Sequence, residues 1–144
     1  MSFRLLLPAQ LLAEMVAQAR AELPNECCGL LAGRMEGEVG RVEARYALVN
    51  AAASPVEYLS EPRSMFDAVR AMRKRDIDIL AVYHSHPTSE PIPSRKDRER
   101  NFSEEVMNLI VSLKGEPAVR AWWLTAEGFR EADWEVIDLA SRGR

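Results

Sequence analysis

The two histidines of the chain stand two residues apart, in the segment Tyr83-His84-Ser85-His86-Pro87. Side chains at positions i and i+2 of an extended segment point in the same direction. Both imidazoles could therefore reach one metal ion, where the apolar run Ile79 to Tyr83 passes into a loop. A His-x-His pair taken alone is as typical of a surface or core pair as of a ligand pair, so the metal site is a hypothesis at this point.

A metal site of this kind needs a third ligand, and Asp97 is the nearest aspartate downstream. Catalytic zinc commonly has three protein ligands and an open position for water. Two neutral imidazoles and one carboxylate would leave a net positive centre, which lowers the pKa of a bound water and polarises a carbonyl group. The segment Ser94-Arg95-Lys96-Asp97 also has the pattern of a helix N-cap with an acidic residue three positions later. Both interpretations can hold together, because a capped helix start would keep Asp97 in a fixed place.

Two pairs of adjacent residues, Cys27 with Cys28 and Trp122 with Trp123, could also suggest binding chemistry. Neighbouring residues of a strand face opposite ways, so the two cysteines cannot easily bind one ion. At least one cysteine is therefore expected to act as a small buried hydrophobic residue. For the tryptophans, core packing is expected for one, and an exposed binding role for the other is an alternative.

The candidate site needs a scaffold, which the turn signals divide into short helices and strands. Helical patterns predict three helices: Pro8 to about Glu22, Glu61 to Arg75, and Ser94 to about Phe102. Apolar runs bounded by turn residues predict seven strands: Phe3–Leu7, Cys27–Met35, Val39–Asn50, Asp78–His84, Val106–Leu113, Ala118–Thr125 and Phe129–Ile137. Three prolines make Pro87 to Pro93 a loop. We predict an α/β or α+β fold with a mixed, mostly antiparallel sheet and flanking helices.

Length and composition bound the classes of function. The 144 residues, 47% hydrophobic and 28% charged, suit one globular domain with a buried core. A net charge of −3 disfavours generic nucleic-acid binding, and the basic residues at 70–75 and 95–100 favour a solvated face. The longest apolar run is too short to span a membrane, and the apolar start is too short for a signal peptide. Two cysteines form no disulfide framework, so a cytoplasmic, reducing compartment is expected.

One combination of motifs resembles a known family. His84-Ser85-His86-Pro87, six residues, Ser94, two residues and Asp97 match the signature of the JAMM (MPN+) zinc metalloproteases without a gap. The segment from Leu23 to Gly33 is similar to the one in which that family places its catalytic glutamate. The resemblance covers about residues 3 to 137. It implies a single MPN-like domain over residues 1–144, with residues 138–144 as a flexible C-terminal tail.

The resemblance also implies a role for each site residue. His84, His86 and Asp97 would bind zinc. Glu26 would hold the activated water and act as general base, then return the proton to the leaving amine. Ser94 would hydrogen-bond the water or the developing oxyanion. From the residues alone, the choice of base stays open between Glu26 and two other nearby carboxylates, those of Glu22 and Glu90.

Members of this family cleave amide bonds, often isopeptide bonds after the Gly-Gly tail of a ubiquitin-like protein. The chain resembles the compact bacterial and archaeal members, some of which are linked to ubiquitin-like sulfur-carrier proteins. The implied partner is therefore such a protein as substrate, with no nucleic acid and no membrane. A non-catalytic MPN-type scaffold is the alternative, although such scaffolds lack the metal ligands. A DNA-associated protein is disfavoured by the acidic net charge and the single domain.

Overall fold

Eight strands form one mixed sheet and three helices flank it in the computed structural model, which describes residues 2–101 and 103–138. The helices are α1 (Ala9–Ala21), α2 (Pro62–Arg75) and α3 (Arg95–Glu99). The strands are β1 (Arg4–Pro8), β2 (Cys28–Glu36), β3 (Val39–Leu48), β4 (Asp78–His86), β5 (Met107–Ser112), β6 (Ala118–Thr125), β7 (Gly128–Glu131) and β8 (Trp134–Ile137). No helix within the described ranges is long and apolar enough to cross a membrane.

The strands follow the order β7-β6-β5-β4-β2-β3-β1-β8 across the sheet. Parallel pairing joins β1 to β3, β1 to β8 and β4 to β5, and the four other neighbouring pairs are antiparallel. This arrangement confirms the predicted α+β class and the mixed, mostly antiparallel sheet. Strand β4, which carries both histidines, is central and is hydrogen-bonded on both sides, so its end is held firmly.

The predicted single strand Phe129–Ile137 is wrong, because the chain forms two strands there. β7 pairs with β6 at one edge of the sheet, and β8 pairs with β1 at the other edge. Only Ala132 and Asp133 separate the two strands, so the sheet must curl until its edges lie close together. The connecting residues are hydrogen-bonded: the amide of Ala132 donates to the carbonyl of Ala121, and the amide of Leu5 donates to the carbonyl of Asp133.

Other predicted boundaries differ from the observed ones by a few residues. β4 continues through His86, so both histidines belong to the strand. α3 is shorter than predicted: it has five residues after its cap, Ser94, and ends at Glu99. Phe102, the predicted end of that helix, lies outside the described residues, and so does the predicted C-terminal tail apart from Asp138.

Each face of the sheet packs against a different helix. One buried cluster contains Cys27, Leu31 and Tyr83 together with residues of α1. The cluster on the other face contains Cys28 and Val82 together with residues of α2. The two cysteines are therefore buried on opposite faces of the sheet, as their adjacency predicts. His84 follows Val82 on the α2 face by strand alternation, so the candidate site lies on that face.

Candidate metal centre

The two histidines are buried at the end of β4 with their side chains on one face of the sheet. The exposed fraction is 1% for His84 and 4% for His86. Their Nε2 atoms lie 3.2 Å apart. The extended backbone predicted from the spacing of two residues is therefore present, and it brings both imidazoles to one point.

Asp97 completes the cluster from the first turn of α3. Its Oδ1 atom lies 3.1 Å from Nε2 of His84, and its Oδ2 atom lies 3.1 Å from Nε2 of His86. The carboxylate is placed by a capping box: Ser94 Oγ accepts a hydrogen bond from the Asp97 amide at 3.1 Å, and the Ser94 amide donates to Asp97 Oδ2 at 2.9 Å. The predicted N-cap is thus confirmed, and it fixes Asp97 beside the histidines.

The loop between His86 and Ser94 is anchored by hydrogen bonds from buried side chains to its backbone carbonyl groups. The carbonyl oxygens of three successive residues, 89, 90 and 91, each accept a hydrogen bond from a buried side chain. The donors are Ser112 Oγ at 2.6 Å, His86 Nδ1 at 2.8 Å and Trp122 Nε1 at 2.9 Å. Trp122 is only 5% exposed, so the alternative of an exposed binding role for either tryptophan is wrong. Its function here is to anchor the loop that leads to Asp97.

The hydrogen bond at Nδ1 sets the tautomer of His86. A carbonyl oxygen only accepts, so Nδ1 carries the proton and the neutral ring presents a lone pair at Nε2. That lone pair faces Asp97 Oδ2, which is also an acceptor. Two acceptors this close need a proton or a cation between them.

The distances fit a metal ion as the shared partner. Zinc binds imidazole nitrogen and carboxylate oxygen at about 2.0–2.1 Å in tetrahedral geometry, which places neighbouring ligand atoms about 3.3 Å apart. The two Nε2 atoms lie 3.2 Å apart, and each lies 3.1 Å from a different oxygen of the Asp97 carboxylate. Although burial alone would raise the pKa of Asp97, the adjacent His84 and His86 hold it well below its usual range. The three residues form the candidate metal-binding group among the described residues.

His84 is oriented differently from His86. Its Nδ1 atom is buried and has no hydrogen-bond partner among the described residues. The ring of Tyr58 stacks on the imidazole instead, with centroids 4.7 Å apart and planes 25° apart. Tyr58 comes from the loop after β3, and no spacing in the sequence points to it. Glu57, its neighbour, pairs with Lys96 and Arg100 around α3 and so ties that loop to the helix that carries Asp97.

Glu26 enters the site from the segment that leads into β2, two residues before that strand begins. Because Cys28 pairs with His84 in antiparallel register, Glu26 comes opposite His86, on the same face of the sheet. Its side chain is 3% exposed, and its Oε1 atom has no hydrogen-bond partner in the described part of the chain. Burial raises the pKa of the Glu26 carboxyl to about 8, with His86 lowering it and Asp97 raising it in turn.

The two rival carboxylates point elsewhere. Glu22 accepts a hydrogen bond from Gln18 on α1, at 3.0 Å. Glu90 is exposed and forms an ion pair with Lys114, at 3.1 Å. Of the three candidates for the base, the structure brings Glu26 to the histidines and aspartate.

Asn50 organises the backbone around Glu26. Its side chain is buried, and Nδ2 donates to the carbonyls of Glu26 at 3.0 Å and Glu57 at 3.1 Å. Oδ1 accepts from the amides of Ala52 and Leu59, at 3.0 Å each. These four bonds use both N–H donors and two acceptor sites of the Asn50 side-chain amide. One side chain therefore joins Glu26 to the loop that carries Tyr58.

The sequence of the chain is similar to those of known proteins. A family model described as prokaryotic homologs of the JAB domain matches residues 8–125. A desampylase of Haloferax volcanii is 36% identical over 114 residues, which cover 78% of this chain and 79% of the relative. The CysO-cysteine peptidase of Mycobacterium tuberculosis is 36% identical over 110 residues, covering 76% and 74%. A probable TtuB-protein conjugate cleaving protease of Thermus thermophilus is 38% identical over 121 residues, covering 83% and 76%.

A solved structure agrees with the fold. The solution structure of protein DSY2949 from Desulfitobacterium hafniense superimposes with a TM-score of 0.86 at 34% identity. The match covers 93% of this chain and 93% of that chain. The curled sheet and its flanking helices are therefore shared with an experimentally determined relative.

The ligand set predicts how metal binding responds to substitution. We expect about one divalent metal ion per chain in the parent protein and loss of tight binding in His84→Ala, His86→Ala and Asp97→Ala, because two remaining ligands hold zinc weakly. Metal content after dialysis and a competition titration measure this. Glu90→Gln, on the same loop but paired with Lys114, is the matched control and should bind as the parent does. Equal metal content in the alanine variants would contradict the assignment.

The buried carboxyl of Glu26 predicts a pH-dependent stability difference in metal-free protein. A folded-state pKa raised from 4.5 to about 8 means that the folded state binds the proton more tightly than the unfolded state does. The free energy of unfolding that the neutral carboxyl contributes is therefore lost as the pH rises from about 4.5 to about 8. Glu26→Gln, which stays neutral, should match the parent near pH 4.5 and become the more stable protein towards pH 8. Melting curves recorded in chelator test this, and a difference independent of pH would contradict it.

Proposed function

The chain belongs to the family of prokaryotic homologues of the JAB domain, and from this premise we propose that it is a zinc-dependent peptidase or isopeptidase. Its substrate is a ubiquitin-like or sulfur-carrier protein, cut after a C-terminal Gly-Gly tail. The observation that carries the proposal is the convergence of His84, His86 and Asp97 within 3.2 Å of one another, with the buried Glu26 across from His86.

The ion supplies two effects when bound: it lowers the pKa of a water molecule and polarises the carbonyl group of the amide bond. His84, His86 and Asp97 are the residues that hold it. Their two neutral imidazoles and one carboxylate leave a net positive charge at the centre, which is what both effects require.

Glu26 is proposed as the general base and acid. Its carboxylate takes a proton from the attacking water and returns that proton to the leaving amine, so the group ends in its starting state. A base for this task works best with a pKa near the working pH, and burial moves Glu26 in that direction. The free Oε1 atom leaves an acceptor available for the water.

Ser94 is proposed to stabilise the developing oxyanion or to orient the water. Its Oγ atom accepts the Asp97 amide as the helix cap. A hydroxyl has one donor besides its acceptor sites, so the O–H of Ser94 is left for a second bond. The capping role and the catalytic role therefore use different parts of the same hydroxyl.

The proposed substrate class rests on the relatives and on steric fit. Relatives that are 36% or 38% identical to this chain over the aligned residues are named desampylase, CysO-cysteine peptidase and probable TtuB-protein conjugate cleaving protease. The candidate centre lies between the end of β4 and the loop that carries Tyr58. Glycines would let the backbone of an extended tail approach that centre closely.

The role of Glu26 is tested by Glu26→Gln in zinc-loaded protein. Glutamine keeps the shape and can still hydrogen-bond a water, but it accepts no proton. Zinc content should be unchanged, and kcat for a tail-linked amide substrate should fall by about 10²–10⁴-fold. Glu22→Gln and Glu90→Gln are matched controls that should cleave as the parent does. A fully active Glu26→Gln variant would refute the base, and a parent protein that binds the substrate without cutting it would favour the scaffold alternative.

Ser94→Ala should produce a smaller loss. We expect retention of zinc and a fall in kcat of at most about 10²–10³-fold, the scale of one oxyanion donor. Loss of the cap should also cost about 1 kcal/mol of the free energy of unfolding. Rate, zinc content and unfolding are therefore measured on the same sample. A rate equal to that of the parent would remove Ser94 from the mechanism.

The tail specificity is tested with conjugates that differ in one residue. A ubiquitin-like or sulfur-carrier protein ending in Gly-Gly and joined to a further amide should be cut. Replacing its last glycine with valine should slow cutting at least about tenfold, because a β-branched residue restricts the backbone and crowds a narrow groove. Mass spectrometry of the products measures both. If zinc-loaded protein cuts no member of a panel of such fusions, the substrate class is wrong.

A further inference from the structure

Ser85 stands between the two histidines, and the proposed reaction assigns it no role. Its side chain is fully buried and points to the face of the sheet away from the metal centre. Two hydrogen bonds join Ser85 to Cys27, the residue before β2. The Ser85 amide donates to the Cys27 carbonyl at 3.1 Å, and the Cys27 amide donates to Ser85 Oγ at 2.8 Å.

The second of these bonds departs from a regular sheet. In an antiparallel pair of this kind, two opposite residues exchange both N–H···O=C bonds. Here the amide of Cys27 is bonded to the serine hydroxyl oxygen, which takes the place of the backbone carbonyl. The Ser85 side chain thus sets the separation of β2 and β4 where the regular pairing from Cys28 onward ends.

Glu26 is the residue before Cys27 and therefore lies next to this contact. Its amide donates to the carbonyl of Ser54 at 2.8 Å, and its carbonyl accepts from Asn50 at 3.0 Å. Glu26 is therefore held on one side by the loop after β3 and on the other by the bond from Cys27 to Ser85. Of these two attachments, the bond to Ser85 joins it to the strand that carries the metal ligands.

We propose that Ser85 is a positioning residue, whose hydroxyl oxygen sets the distance between the Glu26 carboxylate and the centre formed by His84, His86 and Asp97. This inference rests on the proposed function, because it concerns the base of that reaction. Without the hydroxyl oxygen, the buried Cys27 amide has to move towards the Ser85 carbonyl, and Glu26 moves with it. A misplacement of about 1 Å in a reacting group can cost about 10²-fold in rate.

Two substitutions of matched shape test the hydroxyl alone. Ser85→Thr keeps Oγ and adds a methyl group, whereas Ser85→Val adds the same methyl group and replaces Oγ with a second one, so the two variants differ only in the hydroxyl. We expect Ser85→Val to lower kcat by about 10–100-fold with an unchanged KM and zinc affinity, and Ser85→Thr to restore most of that loss. Equal loss in both variants, or loss of zinc together with activity, would overturn the proposal. Tyr83→Phe, which removes a buried hydroxyl from the same strand and face, is the control for a general loss of stability.

A double-mutant cycle separates positioning from structure. If Ser85 acts through Glu26, then Ser85→Val should cause little further loss of rate in the Glu26→Gln background, because the base is already absent. Additive losses would show that Ser85 acts independently and would overturn the proposal.

Crystal structures of the Val and Thr variants supply a readout without catalysis. The Glu26 carboxylate should be displaced relative to the two imidazoles in Ser85→Val and not in Ser85→Thr. Superimposable carboxylates would overturn the proposal, whatever the activity. If the parent protein cleaves no conjugate while the displacement is seen, the proposed function fails and the positioning contact stands.

Discussion

The antiparallel pairing of β2 with β4 is the constraint on which the whole site depends. Cys28 lies opposite His84, and continuing this register brings Glu26, two residues before β2, opposite His86, the residue that ends β4. Gly29 leaves room for the Tyr83 ring across this strand pair, because a Cβ atom there would lie 2.2 Å from that ring. A shift of one residue would turn the histidines to the other face of the sheet, where α1 packs.

The other residues of the site are useful only next to this pair of strands. Buried hydrogen bonds hold them there. Three carbonyls of the loop after β4 are bonded by buried side chains, and the capping box then places Asp97. Asn50 joins Glu26 to the loop that carries Tyr58. Polar groups buried in this way are costly unless each finds a partner. Among the described residues, the buried side-chain atoms without one, Oε1 of Glu26 and Nδ1 of His84, both lie in the site.

Much of this arrangement follows from the sequence, for reasons that are local. Alternation along a strand brings His84 and His86 together, and the spacing from Ser94 to Asp97 predicts the cap, because both patterns act over a few residues. Pairing between segments that are distant in the chain produces no such pattern in the local sequence. The parallel pairing of β8 with β1 and the stacking of Tyr58 on His84 depend on contacts made only in the folded chain. For the same reason, choosing Glu26 as the base over its rivals required the resemblance to a family or the register of β2.

The proposed function requires one zinc ion held by two imidazoles and one carboxylate, at the end of β4. X-ray absorption spectroscopy at the zinc edge of the loaded protein tests it most directly. We expect nitrogen and oxygen scatterers alone, at about 2.0–2.1 Å, with two of them imidazoles. Cys28 lies on the same face of the sheet as His84 and is the nearest competing ligand by register. A sulfur scatterer at about 2.3 Å would contradict this ligand set, since it would place a thiolate where the structure places Asp97.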